Sequence, residues 1–159
     1  MVQVTVISVG TLKESYLREA LAEYKKRLAA FARCEEVELR EERIADEENA
    51  AAVRSALAAE GERILARIPD GAYTVALCIE GRTPDSRALA ELLGAAADRT
   101  GKLCFIIGSS HGLADAVKER ADLRLSVSPL TFPHQLARVL LYEVLYRSFS
   151  IRAGKRYHK

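Results

Sequence analysis

The sequence predicts an α/β fold, a mostly parallel sheet flanked by helices, on three observations. Strand-like and helix-like periodicities alternate along all 159 residues. The runs Val75 to Ile79 and Leu103 to Ile107 are apolar without interruption, the pattern of strands buried on both faces of a parallel sheet. Each run is closed by a glycine, Gly81 or Gly108, and is followed by a helical period.

Each element has a local cause. Val2 to Val9 is β-prone and is closed by Gly10. Leu17, Ala20, Leu21, Tyr24, Leu28 and Phe31 then recur at three- and four-residue steps, which predicts one amphipathic helix. Val37 to Arg40 is a short β-prone stretch inside the run Glu35 to Glu48, whose eight acids and two arginines suit a solvated edge and a helix N-terminus. A long Ala/Glu/Arg helix spans about 46 to 68 and stops at Pro69-Asp70-Gly71. After the strand 74 to 80, Thr83 as N-cap with Pro84 at the first helical position opens a helix to about Arg99. A second buried strand, 102 to 107, leads to Gly108-Ser109-Ser110-His111-Gly112, a short helix to about Arg120, the strand Leu123 to Val127 and a helix His134 to Phe149. The tail from Ser150 has no apolar period. With no repeat, linker or low-complexity segment, residues 1 to 159 are expected to form a single domain.

Composition narrows the function classes. The 49% hydrophobic content is partly an alanine effect, and no apolar run approaches the roughly 18 to 20 residues of a membrane span. The alternating start Met1 to Val6 is a strand pattern rather than an export signal. Cys34, Cys78 and Cys104 are odd in number and widely spaced, as expected of reduced thiols in a cytoplasmic protein. His111, His134 and His158 lack ligand spacing, so no metal site is expected. The formal charge is only +2, yet residues 133 to 159 carry six Lys/Arg and one acid, which makes the C-terminal end a basic patch on an acidic body.

Ligands of open α/β sheets bind beyond the carboxyl ends of strands. Three ends qualify: Leu77 to Gly81, Ile107 to Gly112, and Val127 to Pro133. The second lacks both GxGxxG and a P-loop lysine, and by itself is either a ligand loop or a plain strand-to-helix turn. The third, Ser128-Pro129-Leu130-Thr131-Phe132-Pro133, is stiffened by two prolines and could cradle an adenosine-like group. His134 is either a helix cap or a site residue; Arg138, four residues on, shares its face where the helix dipole favours an anion. Glu143 and Arg147 suit an intrahelical ion pair. The tail with Tyr157 and His158 is either a frayed end or a surface for nucleic-acid phosphate and base.

The stretches Phe105 to Leu113, Leu125 to Gln135 with Arg138, Glu143 to Arg147, and the terminal Tyr157-His158-Lys159 closely resemble the ribosomal RNA large subunit methyltransferase H family, the pseudouridine N3-methyltransferases of the SPOUT class. Val9 to Lys13 and Glu60 to Leu65 fit as well, so the resemblance spans the chain. It implies a C-terminal deep trefoil knot, a homodimer, S-adenosylmethionine as methyl donor, and 23S rRNA of the large ribosomal subunit as partner. By position it assigns the cofactor to Leu77, Gly108, Val127, Ser128, Pro129, Leu130, Thr131 and Phe132. Catalysis would fall to His134 or His158 as proton acceptor, Arg138 for anionic charge and Tyr157 for the base. The chain departs from the family at Ser109, where a second glycine is usual, and at Val144, where a glutamine is usual. Two other classes compete: a non-catalytic ribosome- or RNA-binding protein of the same fold, and a nucleotide-binding domain acting on a small molecule.

Overall fold

The computed structural model describes residues 1 to 158; Lys159, the last residue of the resembling C-terminus, lies outside the described residues. The chain runs β1 (Val2–Val9), α1 (Ser15–Leu28), β2 (Ala32–Leu39), α2 (Ala50–Leu65), β3 (Tyr73–Arg82), α3 (Ser86–Thr100), β4 (Lys102–Ile107), α4 (Asp115–Arg120), β5 (Leu123–Leu125) and α5 (His134–Arg152). All pairings in the five-stranded sheet are parallel, in the order β2-β1-β4-β3-β5.

Side chains alternate across the sheet, so the central strands feed two cores. Val4 and Val6 of β1, Leu103, Phe105 and Ile107 of β4, and Val75 of β3 join Leu21, Leu28, Leu93, Leu141, Tyr142 and Leu145 on the face covered by α1, α3 and α5. Ile7, Val9, Cys104, Ile106 and Ala76 pack on the other face with Ile64 and Val117, under α2 and α4. Strands buried on both sides must be apolar at every position, which is why β4 carries no alternation in sequence.

Several boundaries differ from the sequence expectations, β5 among them, which ends at Leu125 rather than Val127, and three have a clear local cause. The first is β2, which begins at Ala32 rather than Val37 and pairs with β1 over its full length. As the edge strand of the sheet it tolerates alternate acids, and that polarity conceals it in the sequence. The second is α2, which starts later than expected: Asn49 caps it by accepting from the amides of Ala51 and Ala52, while Asp46 accepts from Glu48 in the preceding turn. The third is α3, where the cap is Asp85, whose carboxylate accepts from the Ala88 amide at 2.8 Å, rather than Thr83. β3 extends to Arg82, and the chain needs the intervening residues to turn before a helix can begin.

The C-terminal helix is longer than its periodicity indicates. Ser150 to Arg152 continue α5, with Ser150 fully buried. Gly154, at φ +67°, then closes it: its amide donates to Ile151 O and that of Lys155 to Ser150 O, a Schellman arrangement that needs a residue tolerant of left-handed backbone. Among the described residues beyond it, Lys155 and Tyr157 are docked on the body of the protein. Lys155 lies 4.6 Å above the Phe31 ring, and Tyr157 meets Tyr146 edge-on at 4.7 Å.

Ion pairs to the buried Arg138 fasten α5 to β2. Arg138, 4% exposed, donates to Glu36 at 3.0 Å and lies 3.3 Å from Glu38. Burial pushes the Glu36 carboxyl up, but hydrogen bonds from Lys25 and Arg138 outweigh it and hold it below its ordinary value. A carboxyl with a lowered folded pKa stabilises fully above its unfolded pKa, and the contribution is lost as pH falls through the folded value.

Two stability outcomes are expected. Asp85→Ala should cost about 1 kcal/mol and lower Tm by roughly 2 to 4 °C, while Thr83→Ala stays within about 0.5 kcal/mol of the parent, as measured by thermal unfolding. Arg138→Met, which leaves Glu36 with Lys25 as its remaining partner, should cost about 1.5 to 2 kcal/mol near neutral pH, and the difference from the parent should shrink as pH drops below the carboxylate range.

Candidate active site

Because the strands are parallel, the carboxyl ends of β4, β3 and β5 lie side by side along one edge of the sheet. All three strand ends singled out in the sequence therefore meet there. Leu77 pairs in register with Leu125 and packs on the core. Beyond it the register shifts, and the Ser126 amide donates to Arg82 O at 2.8 Å, so the chain leaving β5 runs against the end of β3.

The turn after β4 has no room for a side chain at its first position. A Cβ on Gly108 would lie 2.2 Å from Gly112 O, so only glycine permits the close return of the backbone. The Gly112 amide donates to Ser109 O at 2.9 Å and closes the turn. Ser109, where the family resemblance anticipates a second glycine, turns its hydroxyl inward and donates to Glu60 at 3.1 Å. The added side chain is thus withdrawn from the surface of the turn.

The loop after β5 is rigid by hydrogen bonding as well as by proline. Ser126 Oγ donates to Ser128 O, and the Leu130 amide donates to Ser128 Oγ. Val127, Ser128 and Phe132 are half-buried, while Pro129, Leu130 and Thr131 are exposed. Leu130 is 71% exposed, a large apolar side chain presented to solvent on an ordered loop. A tight glycine turn beside a loop that offers apolar surface suits a ligand with an apolar ring and a few polar groups. The nearby cavity, about 140 Å³, is bounded by Pro84 and Leu89 on one side, Val127, and Val144, Arg147 and Ser148 of α5. Of the residues assigned to the cofactor only Val127 lines it. Val144, the second departure from the family, contributes an apolar wall there.

The four residues assigned to catalysis form two groups. His134 and Arg138 occupy the first turns of α5, where Pro133 is the N-cap and makes no side-chain cap, so His134 is not a capping residue. His134 borders a small crevice with Gly10, Thr11 and Gln135. The Arg138 guanidinium is turned inward onto Glu36 and Glu38, and its Nε has no hydrogen-bond partner among the described residues. Tyr157 and His158 fold back onto the middle of α5, against Glu143 and Arg147, which stand roughly 14 and 20 Å along the helix from His134 at 1.5 Å per residue. Tyr157 donates to Glu143 at 2.7 Å beneath the Arg147 guanidinium, and His158 Nδ1 lies 3.2 Å from Arg147.

Glu143 is the anchor that sequence reasoning missed. It accepts from Arg147 at 2.9 and 2.6 Å as the expected intrahelical pair, and also from the returning tail. Burial raises its carboxyl, and hydrogen bonds from Tyr157, Tyr24 and Arg147 more than compensate, leaving it lowered. Tyr24 is pushed up to about 12 by burial and by that carboxylate. The only sequence signal was a charged pair flanked by tyrosines. Among the described residues, no group of three or more His, Cys, Asp or Glu side chains could hold a metal ion, and no helix is long and apolar enough to cross a membrane.

Residues 2 to 158 match a family described as "Predicted SPOUT methyltransferase". The chain is 47% identical to the ribosomal RNA large subunit methyltransferase H of Caldicellulosiruptor saccharolyticus, covering 98% of this chain and 99% of that one. It is 44% identical to the protein of that name from Bacillus pumilus, with the same coverage. A crystal structure of a probable methyltransferase from Bordetella pertussis superposes with a TM-score of 0.57 over 92% of this chain and 95% of that one; at 20% identity it supports the fold alone. The parallel sheet, the glycine turn, the stiff loop and the full-length similarity converge on one assignment: the chain belongs to the SPOUT methyltransferase family, among the ribosomal RNA large subunit methyltransferase H proteins.

Proposed function

We propose that this protein is an S-adenosylmethionine-dependent methyltransferase that modifies N3 of a pseudouridine in 23S rRNA of the large subunit, on the assembled ribosome, acting as a cytoplasmic, single-domain homodimer. The observation that carries the proposal is the convergence of Leu77, Gly108 and the 127–132 loop on adjacent strand ends, in a chain similar over its full length to proteins named as rRNA methyltransferases. A deep trefoil knot toward the C-terminal side belongs to the same proposal. The passage of Ser126 against the end of β3 before α5 returns over α1 and α3 supports it.

When bound, S-adenosylmethionine supplies an electrophilic methyl group. Leu77, Gly108 and the residues from Val127 to Phe132 would hold it, the glycine turn admitting polar atoms to the backbone and Leu130 and Phe132 covering an apolar ring. The target nitrogen carries a weakly acidic imide proton, and His134 or His158 accepts it. Tyr157, fixed through its hydroxyl on Glu143, offers a ring for orienting the base. Arg138 is already paired with two carboxylates, so its contribution is to fix the turn of α5 that carries His134.

The separation of the two groups along α5 supports the homodimer. With His134 in the first turn of α5 and Tyr157 and His158 docked on its middle, a second copy would bring the basic tail of one subunit to the strand ends of its partner. A non-catalytic RNA binder has no use for the glycine turn and the apolar loop, and so is disfavoured.

Mass-spectrometric mapping of methyl groups on ribosomes incubated with the protein and labelled cofactor tests the proposal, which predicts one methylated pseudouridine. Replacing the true proton acceptor, in His134→Ala or His158→Ala, should slow methylation by about 10²-fold or more with cofactor binding retained; unchanged turnover in both variants removes the histidine from the mechanism. A chain ending at Ala153, which keeps α5 and loses Tyr157 and His158, should bind cofactor in a calorimetric titration yet fail to methylate ribosomes.

A further inference from the structure

Glu60 is a carboxylate buried in a place where burial is costly. It sits on α2 facing α4, 3% exposed, next to Gly61, whose Cβ would lie 3.1 Å from that of Ala114. No cation lies within salt-bridge distance of it among the described residues. A buried carboxylate without a counter-ion persists only where its oxygens accept hydrogen bonds that the surroundings hold in place. Both oxygens are engaged: Oε1 accepts from the Ser109 hydroxyl at 3.1 Å, and Oε2 accepts from the Glu42 amide at 2.8 Å.

These two partners belong to segments far apart in sequence. Ser109 follows Gly108 in the turn after β4, and Glu42 lies in the acidic stretch after β2. Two further contacts run in parallel: Arg63 donates to the Glu42 carboxylate at 2.8 Å, and His111 Nε2 approaches Glu47 at 3.6 Å. The turn that borders the cofactor position is therefore tied from behind to α2 and to the acidic stretch, with Glu60 as the buried junction.

We propose that Glu60 is a positioning residue for cofactor binding: through Ser109 it holds the Gly108–Gly112 turn in the shape that admits the cofactor to the backbone. It touches neither cofactor nor RNA. This inference rests on the proposed S-adenosylmethionine site. It also accounts for Ser109, since a hydroxyl directed at Glu60 replaces the conformational freedom of a second glycine with a fixed anchor. A glutamine at position 60 could reproduce the geometry, its carbonyl accepting from Glu42 and its amide donating to the Ser109 oxygen.

The test uses the full chain, titrated calorimetrically with S-adenosylmethionine, with amide hydrogen exchange measured across residues 108 to 112 in the absence of cofactor. Glu60→Ala and Ser109→Ala should each weaken cofactor binding by about tenfold or more. The double variant should be no weaker than Glu60→Ala, because the two residues act as one unit. Glu60→Gln should stay within about threefold of the parent. Exchange in the turn should accelerate in the alanine variants and not in Glu60→Gln, and methylation at saturating cofactor should keep its kcat while KM for the cofactor rises. Ile64→Val on the same helix serves as a control for general destabilisation and should bind normally. Parental affinity in folded Glu60→Ala or in Ser109→Ala, or an equal loss in Ile64→Val, overturns the inference alone. A parent chain that takes up no cofactor overturns the proposed function, and this inference with it.

Discussion

The burial of β4 on both faces is the constraint from which the rest of the molecule follows. Phe105 and Ile107 need cover on one side, Cys104 and Ile106 on the other, so helices must lie on both faces of the sheet. The helical crossovers between them leave every strand pairing parallel, and parallel strands bring their carboxyl ends to one edge. The site thus arises from the packing of the core: the strand that is most deeply buried delivers Gly108 to the edge where β3 and β5 also end. Interior packing makes the turn there tight enough to exclude a side chain.

α5 is the second organising element, and it works differently in its first turns and in its middle. At its start, Arg138 is drawn into the protein by Glu36 and Glu38, giving the helix a fixed origin and leaving His134 beside Gly10. Further along, Glu143 gathers Arg147 and Tyr157, so that a tail rich in cations is docked rather than trailing. In both places a partly or fully buried carboxylate converts long, mobile side chains into positioned ones. Hydrogen bonding outweighs desolvation at Glu36 and Glu143 alike, and each carboxyl stays readily ionised in the fold.

Much of the architecture was legible in the sequence because apolar periodicity reports burial directly. β1, β3, β4 and the cores of α1, α3 and α5 lie where the pattern places them, since each must satisfy a face of the same interior. β2 was less legible: at the sheet edge its inward and outward positions alternate acids with Val37 and Leu39, and its glutamates look like a solvated run until Arg138 and Lys25 arrive from elsewhere. The N-cap of α3 moved from Thr83 to Asp85 because strand extension, decided by pairing between β3 and β5, leaves too little chain for the earlier start. The end of α5 lay past its last apolar period, where Gly154 rather than hydrophobicity terminates the helix.

What the sequence determined by itself was the chemistry available and its order: a glycine turn, a doubly prolined loop, a histidine and an arginine at a helix start, and a basic aromatic end. Such properties are local and need no partner to be recognised. Only the tertiary structure decided which of these groups meet. It turned Arg138 inward, bound Tyr157 and His158 to Glu143 and Arg147, and set Ser109 against Glu60, forty-nine positions away along the chain. Each pairing depends on a carboxylate taken out of water, and the stability of a buried charge depends on neighbours that folding alone brings within hydrogen-bond distance.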